Sequence, residues 1–330
     1  MALRILIDAN SIAHAAHRGT VLKSGDQETQ AIFGTIKTIR SIRVRYPDAT
    51  IIILWDGKSW RKAQSTVYKG NREDTAEKVQ ERKRLNTQTP LLRKALSLLG
   101  IPQLFALNLE ADDLAAHLTE RYVAANDQVR LVSGDQDWIQ LVGSNCVWED
   151  HRDEAKKVNA ASFKKWTGVD TPIQYVGLKA LQGDVSDNLP GVGGIGEVKA
   201  LQLMQVWGRV EAFLADTDPA ATWKAAGVIA ETTNKKTGAV TQKPAPFHKA
   251  LQDFHSNTTG QHEKFAANLV MMDLITGYQP APERMVLNKG GLDEDGFLSL
   301  CRELAFSSIY REPLFDTFVT PFRKNDVPWD

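Results

Sequence analysis

Three short apolar runs, each leading into an aspartate, constrain the fold of this chain more than any other feature. Their length and their content of β-branched residues are typical of buried strands. The runs and the acids that follow them are Leu3–Ile7 with Asp8, Thr50–Trp55 with Asp56, and Val129–Ser133 with Asp135. In a parallel sheet the carboxyl ends of the strands share one edge, where ligands bind. The sequence therefore predicts three aspartates at the edge where an active site belongs.

Helical segments separate these strands. The periodicity of apolar residues predicts helices at Gln27 to Tyr46, Pro90 to Leu99 and Ala111 to Ala125. This alternation favours an α/β fold with a mostly parallel central sheet flanked by helices. We expect the α/β domain at residues 1–175 and a helical region at 176–330, with a loop-rich insertion at Asp216 to Pro246.

The composition excludes several classes of protein. The 330 residues include two cysteines, Cys146 and Cys301, which lack the spacing of a disulfide framework or a zinc knuckle. No apolar run approaches the roughly 18 residues of a membrane-spanning helix, and the first apolar run is too short for a signal peptide. We therefore expect a reduced, cytoplasmic protein with no membrane partner.

Charge is unevenly distributed, although the 40 basic and 40 acidic residues cancel overall. Residues 61–103 carry ten Lys and Arg against four Asp and Glu, whereas residues 104–190 carry fourteen Asp and Glu against eight Lys and Arg. Such a division favours an electrostatic task, such as binding phosphates or holding a cation. A solvated face without a ligand is the alternative for any single run of charges.

The acidic residues form short groups that predict a metal site. They include Glu110–Asp113, Asp135–Asp137 and Asp184–Asp187, none of which contains an interleaved Lys or Arg. Taken singly, each acid is better explained as a helix cap or a turn residue. If they share one cleft, unit charges about 4 Å apart repel by roughly 4 kcal/mol at an effective dielectric constant near 20. Bound Mg²⁺ or Mn²⁺ would compensate, and two such ions are typical of phosphodiester hydrolysis.

Six motifs occur in the order typical of a known nuclease family. They are Leu6-Ile7-Asp8, Trp55-Asp56-Gly57, Tyr68-Lys69-Gly70-Asn71-Arg72, Glu110-Ala111-Asp112-Asp113, Gly134-Asp135-Gln136-Asp137 and Gly183-Asp184-Val185-Ser186-Asp187-Asn188. Through them the chain resembles the flap endonuclease and 5′-to-3′ exonuclease family. The resemblance is greatest to stand-alone phage 5′ nucleases and to the 5′-nuclease domain of bacterial DNA polymerase I, and it extends over about residues 3–210.

This resemblance implies a structure-specific nuclease that acts on DNA with two Mg²⁺ ions, for which Mn²⁺ can substitute. The implied partners are 5′ ends, flaps and duplex–single-strand junctions, with RNA–DNA hybrids as a further candidate. The implied tasks are replication, primer removal or DNA degradation, in the host bacterial cytoplasm if the chain is phage-encoded. The implied first metal site is Asp8, Asp56, Glu110 and Asp112, the second is Asp135, Asp137, Asp184 and Asp187, and Asp113 is an additional acid.

The segment Tyr68–Arg72 predicts a phosphate contact. Lysine offers a point charge and arginine a fork that holds two oxygens, so Lys69 and Arg72 are the candidate catalytic cations. In the family that the chain resembles, this segment lies at the base of a helical arch through which the 5′ strand passes. We expect the arch at about residues 70–95, and the candidate DNA contacts there are Tyr68, Lys78, Arg82, Lys83 and Arg84. A solvated basic helix is the alternative for Lys78 to Arg84.

The glycine-rich segment at residues 190–197 has the G-x-G-x-x-G pattern. A dinucleotide-binding loop would follow a strand, whereas an acidic turn and Asn188-Leu189-Pro190 precede this segment. A hairpin between helices, whose backbone amides hold a duplex phosphate, is the better interpretation. The resemblance implies a helix-three-turn-helix DNA-binding motif here, with a candidate K⁺ site. The candidate contacts are Gly191, Gly193, Gly194, Gly196 and Lys199.

Other prominent residues have structural interpretations. His14 and His17 are expected on a helix face rather than as metal ligands, and Trp138 is expected in the core. Ser11 and Cys146 lack the flanking residues of a nucleophile.

Two other functions stay open. A catalytically silent DNA-structure-binding protein would use the same scaffold, although it is expected to lack some of the acids. A PIN-like ribonuclease would share the acidic sheet edge without requiring the arch or the glycine hairpin. Residues 310–330 are interpreted either as a packed tail or as a segment that binds a protein partner.

Overall fold

The chain folds into two compact units. The computed structural model describes residues 1–73, 75–233, 240–277 and 280–323, and their side chains except those of 72, 73 and 231–233. The first unit comprises Met1–Thr66, Gly70–Ala161 and Gln279–Asp330. The second unit comprises Val67–Lys69 and Ser162–Tyr278. Each unit is therefore assembled from segments that are distant in sequence.

A seven-stranded sheet forms the centre of the first unit. The inner strands run parallel, and the strand at each edge is antiparallel to its neighbour. This arrangement confirms the prediction of a mostly parallel sheet. In spatial order the strands are Val286–Asn288, Gln103–Phe105, Thr50–Trp55, Leu3–Asp8, Gln128–Val132, Cys146–Glu149 and Lys157–Val158.

Helices flank this sheet, as the alternating pattern predicted. The helix predicted to begin at Gln27 begins later, because Gln27–Glu28 pairs as a short strand with Lys23–Ser24. The α-helices of the first unit are Ala9–His17, Gln30–Arg45, Trp60–Gln64, Ala76–Leu98, Ala111–Ala124, Glu294–Glu303, Ser307–Tyr310 and Leu314–Val319, and its 3-10 helices are Gly70–Glu73, Gln136–Leu141 and Thr320–Phe322. Within the described ranges, no helix is both long and apolar enough to cross a membrane.

The register of the sheet aligns the ends of its central strands. Asp8 lies opposite Leu54 on one side, and Ile7 lies opposite Val132 on the other. Asp56 and Asp135 follow their strands directly or after a two-residue turn. Because parallel strands share one carboxyl edge, all three aspartates lie at the same edge of the sheet.

Isoleucines supply much of the core on one side of this sheet. Ile5, Ile7 and Ile53 from the strands are fully buried with Ile36 and Ile39 from the helix Gln30–Arg45. Burial of each such side chain contributes about 1.5–3 kcal/mol to the stability of the folded state, because apolar surface is removed from water. The strands that carry the three aspartates are thus anchored by a dense hydrophobic layer.

The C-terminal segment packs into the same core. Phe315, Phe318 and Phe322 are buried with Phe297, and the rings of Phe297 and Phe318 stack with centroids 5.8 Å apart. The part of the tail up to residue 323 is therefore packed, in line with the first of its two interpretations. Residues 324–330 lie outside the described residues.

The division into units differs from the predicted boundary at residues 175 and 176. The chain leaves the first unit after Ala161 and returns to it from Gln279 onward. The physical reason for the return is the pairing of Val286–Asn288 with Gln103–Phe105, together with the buried phenylalanines of the tail. A three-residue edge strand has too little periodicity to be recognised in the sequence.

Most of the segment expected to form the arch, from Ala76 onward, belongs to one long helix. The helix Ala76–Leu98 includes Pro90, where we had expected a separate helix to begin. Proline removes one backbone hydrogen bond from a helix, but this helix buries Leu85 before Pro90 and Leu92 and Leu96 after it. Burial on both sides of the proline therefore maintains one continuous element.

The second unit is mainly helical. The described part of Asp216 to Pro246 contains a helix and an antiparallel strand pair rather than the expected loops, and residues 234–239 lie outside the description. The helices of this unit are Phe163–Thr167, Pro172–Gln182, Glu197–Trp207, Val210–Leu214, Pro219–Ala226, Lys249–His255 and Gln261–Met272. Its strands are Gly183–Asp184, Leu189–Pro190, Ile229–Thr233 and Val240–Pro244.

We expect Gly57→Ala to destabilise the first unit. A Cβ atom at Gly57 would lie 1.9 Å from the carbonyl oxygen of Ala106 and 2.8 Å from that of Leu109. Because these neighbours are backbone atoms, the free energy of unfolding should fall by about 2 kcal/mol or more, as measured by urea denaturation. Gly143→Ala is the matched control, since no atom lies within 4 Å of its Cβ position. Equal stability of the two variants would contradict this packing.

Candidate active site

Asp8 is held by two serines at the carboxyl edge of the sheet. It ends its strand and caps the helix Ala9–His17, so one carboxylate oxygen accepts the backbone N–H of Ser11 at 2.9 Å. The other oxygen accepts the hydroxyl of Ser133 at 2.8 Å. Asp8 is also buried. The two hydrogen bonds fix the orientation of its carboxylate.

Asp56 is linked to the next acidic motif through the backbone. Its side chain is exposed, and one oxygen accepts the N–H of Ala111 at 2.8 Å. Ala111 is the first residue of the helix Ala111–Ala124. The positive end of a helix stabilises a carboxylate placed there, so this contact brings Asp56 to the acids that open the helix.

Glu110 and Asp113 are paired with a buried arginine. The guanidinium of Arg61 donates to Glu110 at 3.1 Å and to both oxygens of Asp113 at 3.0 and 2.8 Å. Ser59 also donates to Glu110, and Asp113 accepts the backbone N–H of Glu110 as part of a capping box. The side chain of Asp113 is fully buried. Asp113 therefore has a structural role as a helix cap and as the partner of Arg61.

Arg61 corrects the expectation that these acids lack a neutralising cation. The sequence motif contains none, but Arg61 reaches it from the preceding helix Trp60–Gln64. Its guanidinium is 2% exposed and lies 4.6 Å from the ring centre of Trp60. In the sequence, Arg61 is visible only as one arginine of the basic segment, next to Trp60. The local pattern does not show that it pairs with acids about fifty positions away.

Asp112 lies on the other side of the helix start and is partly exposed. One of its oxygens accepts the indole N–H of Trp138 at 2.6 Å. Trp138 is fully buried, as the sequence suggested for a core residue. Its additional role is to orient Asp112, which the sequence did not show.

Asp135 and Asp137 belong to the turn after the strand Gln128–Val132. Asp135 caps the 3-10 helix Gln136–Leu141 by accepting the N–H of Asp137 at 2.8 Å. The carbonyl of Asp135 accepts the indole N–H of Trp148 at 2.9 Å, and Asp135 itself is exposed. The backbone of this turn is thus fixed while a carboxylate faces solvent.

The acids at the carboxyl edge of the first unit offer only oxygen atoms to a cation. Across the ranges that the structure describes, no group of three His, Cys, Asp or Glu side chains is arranged to hold a metal ion. Asp8, Asp56 and Asp112 accept hydrogen bonds from protein donors instead. Oxygen ligands without histidine or cysteine fit Mg²⁺ or Mn²⁺.

Asp184 and Asp187 belong to the second unit. One oxygen of Asp184 accepts both the N–H and the hydroxyl of Ser186, at 2.7 and 2.6 Å, and the other lies 3.4 Å from the ammonium of Lys179. Burial raises the pKa of Asp184, but the bonds from Ser186 and the charge of Lys179 outweigh it, so the net pKa is lowered. Asp184 therefore stays ionised at neutral pH.

Lys69 is tied to Asp187 within the second unit. The N–H of Lys69 donates to the carbonyl of Asp187 at 2.8 Å, and its ammonium lies 3.8 Å from the Asp187 carboxylate. The ammonium also lies 4.9 Å from the ring centre of Tyr68, and Lys69 adopts a φ of 55°. Both Tyr68 and Lys69 are buried. The side chain of Arg72 lies outside the described residues.

The glycine-rich segment connects Pro172–Gln182 to Glu197–Trp207 through tight turns. Gly193 and Gly194 have φ values of 34° and 78°, and a Cβ at Gly191 would lie 2.3 Å from the carbonyl of Gln182. Gly196 is the N-cap of the following helix. Lys199 donates to the carbonyl of Gly194 at 2.8 Å and is partly exposed. The backbone therefore requires glycine at positions 191, 193 and 194.

The basic residues of the predicted arch lie on the helix Ala76–Leu98. Lys78, Arg82, Lys83 and Arg84 are all exposed. Lys78 donates to the carbonyl of Asn71 at 3.1 Å, and Arg84 lies 3.4 Å from Glu28. The helix thus presents an exposed basic surface on the unit that carries the acidic sheet edge.

His17 and Cys146 have the structural roles that the sequence suggested. His17 is buried and contacts the side-chain amides of Gln30 and Gln88 at 3.2 Å, and burial lowers its pKa. Burial raises the pKa of the Cys146 thiol to about 12, which leaves no thiolate at neutral pH. Ser11 accepts the N–H of Gly134 at 2.9 Å, so its hydroxyl is a structural link.

The first unit carries both an acid-lined carboxyl edge and an exposed basic helix, which are charges suited to binding cations and phosphates. Comparison with known protein families identifies the family of the chain. Residues 4–168 match the N-terminal resolvase-like domain of 5′-3′ exonucleases, and residues 170–243 match the C-terminal SAM fold of the same enzymes. The chain belongs to the 5′-3′ exonuclease family. This result confirms the family that the motifs predicted.

Sequence relatives include bacterial DNA polymerases. The chain is 33% identical over 221 residues to DNA polymerase I of Bacillus caldotenax, covering 65% of this chain and 24% of the relative. It is 32% identical over 219 residues to the thermostable DNA polymerase I of Thermus aquaticus, covering 65% and 25%. The chain thus spans about a quarter of the length of these relatives.

Solved structures share the fold over almost the whole chain. The bacteriophage T5 flap endonuclease, in a complex with DNA and metal ions, matches with a TM-score of 0.61 and 19% identity, covering 98% of each chain. Human GEN1, in a complex with Holliday junction DNA, matches with a TM-score of 0.56 and 15% identity, covering 92% of this chain and 68% of GEN1. At 19% and 15% identity, these two matches establish a shared fold and nothing more about this chain.

We expect Arg61→Met to destabilise the first unit strongly. The substitution leaves Glu110 and Asp113 buried without their cation, so the free energy of unfolding should fall by about 3–5 kcal/mol. Urea denaturation without added metal measures this. Lys62→Met, at the exposed neighbouring position, is the control and should change stability by less than about 0.5 kcal/mol. A small loss in Arg61→Met would show that the arginine does not compensate these acids.

Proposed function

We propose that this protein is a structure-specific 5′ nuclease that hydrolyses DNA phosphodiesters with two divalent cations. The observation that carries the proposal is the placement of Asp8, Asp56 and Asp135 at one carboxyl edge of the sheet, in a member of the 5′-3′ exonuclease family. The T5 flap endonuclease was solved with DNA and metal ions, which supports both the substrate and the cations.

We propose Mg²⁺ as the cation, with Mn²⁺ as a substitute. Asp8, Asp56, Glu110 and Asp112 are the proposed first ligand set, and Asp135, Asp137, Asp184 and Asp187 are the second. Bound ions would polarise the scissile phosphate and favour attack by water. Asp113 is left out of the ligand sets, because both oxygens of its fully buried carboxylate accept hydrogen bonds from Arg61.

Lys69 is the proposed stabiliser of negative charge on the reacting phosphate. Its backbone bond to Asp187 connects this cation to the proposed second ligand set. The nearby Tyr68 ring and the Asp187 carboxylate limit the positions of its ammonium. A preorganised cation stabilises developing charge without paying for reorganisation. Arg72 is assigned the same task because of its place in the motif.

DNA binding is assigned to two surfaces of different chemistry. Exposed Lys78, Arg82, Lys83 and Arg84 would attract the phosphates of the 5′ strand, as the arch of the family does. The hairpin at residues 190–197 would hold a duplex phosphate through backbone amides, with K⁺ as a candidate ion. Lys199 both fixes this hairpin through Gly194 and remains partly exposed for a contact with the DNA backbone.

The proposed substrates are DNA 5′ ends, flaps and duplex–single-strand junctions, with RNA–DNA hybrids as a further candidate. The corresponding tasks are primer removal, replication or DNA degradation, in the host bacterial cytoplasm if the chain is phage-encoded. The full set of acids favours an active enzyme over a silent DNA-binding relative. The match of residues 170–243 to the exonuclease SAM fold favours DNA cleavage over a PIN-like ribonuclease.

We expect the double variant Asp135→Asn with Asp137→Asn to lose cleavage. A 5′-labelled flap and a blunt duplex should be cut from the 5′ side with Mg²⁺ and left intact with EDTA. Loss of two charged ligands should lower kcat by more than about 100-fold, measured by gel electrophoresis of the products. Asp26→Asn is the control, because Asp26 lies in an exposed turn. Undiminished cutting by the double variant would rule out the second ligand set.

We expect Lys69→Ala to separate turnover from binding. The ammonium is assigned to charge stabilisation, so kcat should fall by about 100-fold while the Kd for duplex DNA changes by less than about threefold. Single-turnover kinetics and fluorescence anisotropy measure the two quantities. Lys62→Ala, at an exposed position, should leave both unchanged. An equal loss of turnover and affinity would instead identify Lys69 as a binding residue.

A further inference from the structure

One hydroxyl links two acids of the proposed metal sites. Ser133 is fully buried at the end of the strand Gln128–Val132. Its hydroxyl donates to a carboxylate oxygen of Asp8 at 2.8 Å and accepts the backbone N–H of Asp135 at 2.9 Å. Asp8 belongs to the proposed first ligand set and Asp135 to the second. Ser133 itself belongs to neither.

The direction of these bonds follows from the chemistry of the groups. An ionised carboxylate only accepts, so the single proton of the hydroxyl points to Asp8. A lone pair of the same oxygen is left for the N–H of Asp135. Rotation about the Cα–Cβ bond of Ser133 would break one or both of these hydrogen bonds. The two bonds together therefore fix the rotamer of this side chain. The hydroxyl thus couples the orientation of Asp8 to the backbone position of Asp135.

A second serine, Ser11, also connects Asp8 to the turn that carries Asp135. Ser11 donates its N–H to the other oxygen of Asp8 at 2.9 Å, and its hydroxyl accepts the N–H of Gly134 at 2.9 Å. Both oxygens of Asp8 are therefore directed by groups that also hold the Ser133–Asp135 turn. Arg152 contacts the carbonyl of Gly134 at 3.1 Å and fixes the other face of the turn.

We propose that Ser133 is a positioning residue for divalent-cation binding, which it promotes by orienting Asp8 and the Asp135 turn together. This inference rests on the proposed function, because it concerns the same acids. Groups that orient metal ligands typically change metal affinity or activity by about 10- to 100-fold when they are removed. The effect of Ser133 should therefore appear in cation affinity and in kcat, and not in DNA affinity.

Ser133→Ala tests the proposal, with Mn²⁺ as the probe. Isothermal titration of the DNA-free protein should give a Kd for Mn²⁺ at least about 10-fold higher than that of the unaltered chain. The kcat should fall, and the KM for a flap substrate should change by less than about threefold. Ser133→Thr retains the hydroxyl and should restore the cation affinity. Ser24→Ala, which removes a hydroxyl bonded to the Glu303 carbonyl, is the matched control.

A double-variant cycle separates positioning from a general loss of stability. In a protein that already carries Asp8→Asn, Ser133→Ala should raise the Kd for Mn²⁺ by less than about twofold, because the contact is already altered. Circular dichroism melting of each variant shows that it is folded at the temperature of the titration. The same increase in Kd in both backgrounds would overturn the proposal, as would equal Mn²⁺ affinity of Ser133→Ala and the unaltered chain. If the unaltered chain binds no Mn²⁺, it is the proposed function that fails.

Discussion

Parallel pairing of the strand Leu3–Asp8 with both of its neighbours is the constraint on which the rest of this protein depends. The pairing brings the ends of three strands to one edge, where Asp8, Asp56 and Asp135 follow them. Buried isoleucines on the strands and on the helix Gln30–Arg45 hold that register. A shift of one residue would turn every apolar side chain to the opposite face, so the hydrophobic core and the position of the acids are determined together.

Gathering acids at one edge has an electrostatic cost, and the structure offsets it in two ways. The guanidinium of Arg61 bridges the buried Glu110 and Asp113 and offsets part of their charge. Asp8, Asp56 and Asp112 instead accept hydrogen bonds from neutral donors, which are the hydroxyl of Ser133, the N–H of Ala111 and the indole of Trp138. Neutral donors orient a carboxylate without removing its charge, which leaves these three acids suited to a cation.

Short-range features of this protein were predictable because they depend on local chemistry. Short β-branched runs predicted the strands Leu3–Asp8, Thr50–Trp55 and Gln128–Val132, and apolar periodicity predicted the helix that begins at Ala111. The ordered acids led to the correct family. The predictions that failed concern long-range contacts. The sequence placed the C-terminal residues with the second unit, whereas Val286–Asn288 completes the first sheet and Phe318 packs in its core. Nothing within a three-residue strand indicates its partner nearly two hundred positions away.

The sequence by itself determined which side chains could perform the chemistry, since acids after strands and the Tyr68–Arg72 motif can be read locally. Only the tertiary structure decided how each acid is used. Asp112 and Asp113 are adjacent in the chain, yet one contacts Trp138 at the helix start and the other is fully buried against Arg61. The physical reason is that neighbours on a helix point about 100° apart, so consecutive identical residues meet different surroundings once the chain has folded.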